Sequence, residues 1–140
     1  MKALVLYDSN FGNTKVIADA ISKQLGVFST SVKGFKESDL SGVSLLIVGS
    51  PINAWGPTEG TARALATLKR IGLKGIKAAA FDTRIKMVIS GDAAKKISKV
   101  LKEAGAEIVA EPTGFFVKGK EGPLADGEEK RAAEWAKRMA

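Results

Sequence analysis

Two hydrophobic rhythms alternate along the chain. In the first, every position is apolar for four or more residues, as in Ala3-Leu4-Val5-Leu6, Leu45-Leu46-Ile47-Val48 and Ala78-Ala79-Ala80-Phe81. Unbroken runs of this kind mark strands buried on both faces. In the second, apolar residues recur every three or four positions, which is the stripe of an amphipathic helix. The spacing predicts a strand over 2–8 and a helix over 14–25, with Val16, Ile17, Ala20, Ile21 and Leu25 on one face and Gly26 as its stop. The β-rich stretch 27–35 reads as a second strand, at an edge, followed by a polar connection over 36–42. A third strand is expected over 43–49, a loop over 50–57, and a helix over 58–71 with Ala62, Leu65, Ala66 and Leu68 inward. A fourth strand over 76–81 leads into a polar, irregular loop over 82–90. Asp92 is placed to cap a helix running to Gly105. The fifth strand, 107–117, is expected to bend or break at Pro112-Thr113-Gly114. After a turn-rich stretch over 119–127, a last helix over 128–139 turns Ala132, Trp135, Ala136 and Met139 inward.

Strands alternating with helices imply a single α/β domain over 1–140, a doubly wound five-stranded parallel sheet with helices on both faces. Right-handed crossovers favour the order 2-1-3-4-5. In that order the switch point lies between strands one and three, and a ligand belongs at their carboxyl ends. The loops 9–13, 50–57 and 82–91 converge there.

Composition narrows the chemistry. The chain has neither Cys nor His. Disulfides, thiol catalysis and the usual zinc ligands are therefore excluded, and so is the commonest general base. No apolar run approaches the roughly 20 residues of a membrane span, and Lys2 leads straight into a strand-like run. Neither a signal peptide nor membrane association is expected, and a cytoplasmic location is the default. The net charge is +7. Its Lys and Arg are scattered over the outer faces of the expected helices, which speaks for a solvated surface or an acidic protein partner rather than nucleic acid.

The first loop, Ser9-Asn10-Phe11-Gly12-Asn13-Thr14, offers two hydroxyls, two amides and a glycine at the start of a helix. Backbone N–H groups and the positive helix end suit a phosphate monoester. Neither the G-x-x-x-x-G-K-[ST] loop nor the G-x-G-x-x-G fingerprint is present. Alternatively, the same residues simply turn the chain and cap the helix.

The run Val5-Leu6-Tyr7-Asp8-Ser9-Asn10-Phe11-Gly12-Asn13-Thr14-Lys15-Val16-Ile17-Ala18 resembles the flavodoxin signature, whose loop wraps the phosphate of FMN. The resemblance assigns that role to Ser9, Asn10, Phe11, Gly12, Asn13 and Thr14. Phe11 departs from the Thr of many flavodoxins but is similar to the aromatic found in the flavodoxin half of flavo-diiron proteins. The second loop, Ser50-Pro51-Ile52-Asn53-Ala54-Trp55-Gly56, resembles the family's loop beside the isoalloxazine ring. Trp55 would stack on the ring, and Gly56 would let its peptide flip toward the reduced flavin. The third loop lacks the second aromatic of many members; Asp82 and Thr83 are candidates for the ring edge. Arg84 either pairs with Asp82 or approaches the flavin. The absence of a long insertion between Val109 and Phe115 points to a short-chain member.

The resemblance implies a non-covalent FMN protein that carries single electrons between redox partners, with no catalytic side chain and no metal. A chain without His or Cys is compatible with this, because the flavin supplies the redox chemistry. The basic charge departs from the usual acidity of flavodoxins. It implies acidic partners and a less negative low potential, unless local carboxylates such as Glu59 and Asp82 cancel it. A monomer is expected. Two other classes stand beside this one: a small FMN-dependent NAD(P)H or quinone reductase, and a flavin-free interaction module. A phospho-receiver is disfavoured because the third strand ends in Gly49-Ser50 instead of an aspartate.

Overall fold

The computed structural model describes residues 2–53, 55–86 and 92–140. Six strands and four helices follow one another as β1 (Ala3–Tyr7), α1 (Asn13–Leu25), β2 (Ser29–Ser31), β3 (Leu45–Pro51), α2 (Glu59–Ile71), β4 (Lys77–Ile85), α3 (Ala93–Glu103), β5 (Glu107–Ile108), β6 (Thr113–Val117) and α4 (Glu128–Lys137). All pairings between named strands are parallel, in the order β2-β1-β3-β4-β5, with β6 also on β4. β5 and β6 are the two halves of the expected fifth strand, so the expected order 2-1-3-4-5 is the observed one.

The unbroken apolar runs explain the layering. Successive side chains in a strand point to opposite faces. Leu4, Leu6, Leu46, Val48, Ala78 and Ala80 therefore pack on one side, against Leu65 and Leu68 of α2 and Ile97 and Leu101 of α3. Val5, Leu45, Ile47, Ala79 and Phe81 pack on the other, against Ile17 and Ile21 of α1 and Ala132 and Trp135 of α4. Phe81, Phe115 and Trp135 meet edge to face, with ring centroids 5.9–6.2 Å apart, the geometry that aromatic quadrupoles favour. A Cβ on Gly49 would lie 2.0 Å from the Phe81 ring, so the glycine that ends the third apolar run makes room for this cluster.

Four expectations need correction. The second strand spans only Ser29–Ser31, and Val32–Gly34 form a 3-10 turn. Phe28, which looked strand-like, is 94% exposed. In α2 the inward positions are Thr61, Ala64, Leu65 and Leu68; Ala62 and Ala66 face out. Alanine is weakly apolar, and the Thr58–Thr61 hydroxyl contact (2.8 Å) fixes the helix rotation instead. Val16 of α1 is likewise exposed, and Thr14 takes the inward place. Finally, β4 continues to Ile85, because Phe81–Ile85 pair with Thr113–Val117 of β6. Asp82, Thr83 and Arg84 therefore lie on a strand, not in a loop. Residues 87–91 of that expected loop lie outside the described residues, as does Ala54.

Candidate functional site

An open cleft of about 690 Å³, counting the solvent at its mouth, lies at the carboxyl ends of the sheet. Its floor and walls come from Ser9, Asn10, Phe11, Asn13 and Thr14 of the first loop, and Pro51, Ile52 and Asn53 of the second. Thr83, Arg84 and Ile85 at the end of β4 complete it with Val117 and Lys120. This is the switch point, where a ligand of such a sheet belongs.

The first loop is shaped by its own polar groups. Gly12, at φ 91°, adopts the left-handed conformation that a side chain resists. The Ser9 hydroxyl accepts the Gly12 N–H (2.9 Å). The Gly12 carbonyl takes the first intrahelical bond, from Val16 N–H (3.0 Å). The amides of Asn13, Thr14 and Lys15 precede that bond and have no carbonyl within the helix to meet. No carboxylate stands in the first turn of α1. Thr14 and Thr83 share one hydrogen bond between their buried hydroxyls (2.7 Å). The pair holds two protons and spends one, so one O–H is left for an occupant. Asn10 Nδ2 donates to the side-chain Oδ1 of Asn53 (2.9 Å) and ties the two loops together.

The second loop closes as a tight turn. Asn53 and Gly56 exchange backbone bonds of 2.7 and 2.9 Å. The residue in the left-handed region is Trp55, at φ 72°. A non-glycine residue held there stores roughly 1–3 kcal/mol. The Trp55 carbonyl accepts Asp92 N–H and the Lys96 ammonium, each at 3.1 Å. Its indole is 58% exposed and does not line the cleft. Ser50 is fully buried and accepts Thr58 N–H (3.1 Å). It braces the start of α2 and does not reach the cleft.

Asp82, expected at the ring edge, is fully buried and turned the other way. Its carboxylate accepts Ala93 and Ala94 N–H (3.2 and 2.9 Å) at the start of α3. The Arg84 guanidinium grips it from the side through Nε (2.7 Å) and Nη2 (2.5 Å). Of the two alternatives for Arg84, the pairing with Asp82 is observed, and the residue also lines the cleft. Sequence reasoning named Ile85 among the residues that could cover the flavin's outer face but missed Val117 and Lys120. Ile85 and Val117 reach the cleft through the β4–β6 pairing, a contact between distant segments. For Lys120 no local signal exists; its turn is fixed to the first loop by Asn13 Nδ2 donating to the Glu121 carbonyl (3.2 Å).

The donor set fits a flavin mononucleotide. Bare helix amides and hydroxyls suit the phosphate, and the two charged residues among the described lining are both cations, Arg84 and Lys120. Among the described residues no group of acidic side chains is arranged to hold a metal ion.

The sequence model of the flavodoxin family matches residues 5–135. A search of curated proteins found no match. A flavodoxin from the domain Archaea superposes with a TM-score of 0.84 at 24% identity, covering 100% of this chain and 96% of that one. Flavodoxin 1 of Bacillus cereus does so with 0.84 at 20%, covering 99% and 97%. The rubredoxin oxygen:oxidoreductase of Desulfovibrio gigas gives 0.81 at 20%, covering 98% of this chain but 34% of that larger one. These structures share the fold, and the family match spans nearly the whole chain. The chain belongs to the flavodoxin family, whose members bind FMN and transfer electrons between redox partners.

Proposed function

We propose that this protein carries single electrons between redox proteins, using FMN held without a covalent bond in the cleft between the first and second loops. The observation that carries the reading is the start of α1, where three amides and the Ser9 and Thr14 hydroxyls meet a cleft lined by no carboxylate among the described residues. When bound, FMN supplies the redox chemistry, accepting and releasing electrons one at a time. The chain supplies the rest. Ser9, Asn10, Phe11, Gly12, Asn13 and Thr14 hold the phosphate through N–H and O–H groups. Ile52, Asn53 and Thr83 flank the remainder, and Trp55 stands exposed in the second loop, outside the cleft lining. Asp82 anchors α3 and serves the site only through Arg84.

The +7 charge favours partners with acidic surfaces, with Lys96 and Lys120 near the second loop and the cleft. The same charge makes the lower potential less negative than in acidic relatives. Glu59 cannot offset this locally, since it is exposed and paired with Arg63 (3.1 Å). No described helix is long and apolar enough to cross a membrane; we place the protein in the cytoplasm as a monomer.

The test is an FMN titration of the flavin-free protein, read by flavin fluorescence. Stoichiometric quenching at micromolar protein, with riboflavin bound at least tenfold more weakly, is the expected result. Free, fluorescent FMN would sink the reading. Oxidation of NAD(P)H by the loaded protein alone would convert it from a carrier to a reductase.

A further inference from the structure

We propose that the outer face of α3 is a docking surface for an acidic redox protein, gripped by Lys95, Lys96, Lys99 and Lys102. The inference rests on the carrier reading above for what the partner exchanges, and it names where that partner sits.

The face is a stripe of one sign. Lys95, Lys99 and Lys102 follow one another at i, i+4 and i+7, so they share one side of the helix, with Lys96 beside them. All four are exposed. Among the described residues, none of them is in an ion pair with a carboxylate. The neighbouring helix is different. On α2, Arg63 pairs with Glu59, Arg70 with Glu37, and Lys69 with Glu103 (3.9 Å), which takes up the one carboxylate within α3. The lysines do nothing for the helix that carries them. Like charges at i, i+4 repel. Lys95 and Lys96 close the first turn, at the positive end of the helix dipole. Asp82 and Asp92 answer the backbone amides of that turn and leave the two ammonium groups unpaired.

Place and shape select the partner. α3 starts at the carboxyl edge of the sheet, where the cleft lies. There the Lys96 ammonium donates to the Trp55 carbonyl (3.1 Å) and ties the stripe to the second loop. The Trp55 indole is 58% exposed and outside the cleft lining, a large aromatic of the kind that anchors protein interfaces. At the rise of a helix, Lys95 to Lys102 span about 10 Å, and Asp92 and Glu103 bound the stripe at its two ends. A compact cluster of carboxylates matches that length. A nucleic acid, whose charge continues along its strand, would run onto the two bounding carboxylates. A membrane surface would find no apolar residue to take in. Ala93, Ala94, Ile97 and Leu101 are buried in the core, and Val100 packs against it. A protein rich in carboxylates, seated on the stripe and on Trp55, lies against the second-loop side of the cleft.

The experiment follows the backbone amides by NMR as an acidic plant-type [2Fe–2S] protein is added at low salt, with oligothymidylate and phosphatidylserine vesicles as separate probes. The expected result is a set of shifts centred on 95–102 and on the Trp55 indole. They should fade as ionic strength rises from about 0.01 M to about 0.1 M, where the screening length falls from about 30 Å to about 10 Å. Lys95→Gln combined with Lys99→Gln should weaken binding at least about tenfold. Lys69→Gln combined with Arg70→Gln, on α2, should stay within about threefold of the parent. All four residues are exposed, so both variants fold. Thermal melting of the α3 variant should be level with the parent or higher, since a repulsion is removed. Silence at α3, equal weakening in the two double variants, or tighter binding of either other probe to the stripe overturns the proposal. The titration needs no bound flavin. If the parent binds no FMN but the α3 shifts appear, the carrier reading fails and the docking surface stands. If FMN binds and α3 stays silent, only the present inference fails.

Discussion

Helices α1 and α3 both begin at the carboxyl edge of the sheet, and the chain treats their two ends in opposite ways. At α3 it supplies its own anion. Asp82 accepts the Ala93 and Ala94 amides and Asp92 accepts Lys95 N–H (2.7 Å). At α1 it supplies hydroxyls, amides and a left-handed glycine, but no carboxylate. Hydrogen bonds to charged groups contribute roughly 1.5–3 kcal/mol each. The filled end therefore stabilises the fold, while the open end leaves that stabilisation to an external anion. Two helix starts at the same edge of the sheet thus divide the work, one holding that edge together and the other, in the function proposed above, receiving the phosphate.

The largest expected effect comes from emptying the filled end. Asp82→Ala leaves Arg84 short of its main partner and two α3 amides unpaired. Loss of one partner of a buried pair should cost about 3 kcal/mol, read as a lower urea midpoint at an unchanged slope. A loss below about 1 kcal/mol would erase the contrast between the two ends.

Filling the open end should do the reverse. Asn10→Asp is isosteric, and Asn53 can turn its amide to keep the hydrogen bond across the loops. Stability should hardly change, while FMN affinity falls at least tenfold and riboflavin affinity stays level. Calorimetry with the two ligands decides it; equal losses for both would mean the phosphate lies elsewhere. A smaller change follows from Ser9→Ala, which strips the Gly12 amide of its acceptor. It should cost about 1 kcal/mol of stability and a similar factor in FMN affinity, measured by the same two methods.

The smallest effect is a control at α4. Glu128 accepts Phe116 N–H (2.7 Å) and two bonds from Arg131 (2.9 and 2.6 Å). The Arg131 bonds, with help from Phe116 N–H, hold its pKa below the usual carboxylate range. The folded protein thus binds its proton less readily than the unfolded chain. Its contribution is complete above about pH 4.3, the ordinary glutamate value, and fades as pH falls below it. Glu128→Gln should flatten the acid limb of a stability-against-pH curve and leave FMN binding untouched.

The open end of α1 was legible in the sequence because it is local. Strand, loop, glycine and helix lie within twelve residues, and the unbroken apolar runs fixed strand order and layers. What stayed hidden depends on contacts between distant segments. The extension of β4 through Ile85 exists because β6 pairs with it, so Asp82 read as a loop residue although it is the anchor of α3. The short β2 shows the same limit, since Val, Phe and Thr at an exposed edge carry strand propensity without a partner to satisfy it. Lys120 reaches the cleft only through the way its turn docks on Asn13.

The two tryptophans turn this division of labour into an optical one. Trp135 is 4% exposed, inside the aromatic cluster, and Trp55 is 58% exposed in the second loop. Excitation near the red edge and a collisional quencher such as acrylamide would select Trp55. The residual blue-shifted emission would come from Trp135. In the flavin-free protein one cuvette then reports two regions separately, the second loop from the accessible indole and the integrity of the core from the sheltered one.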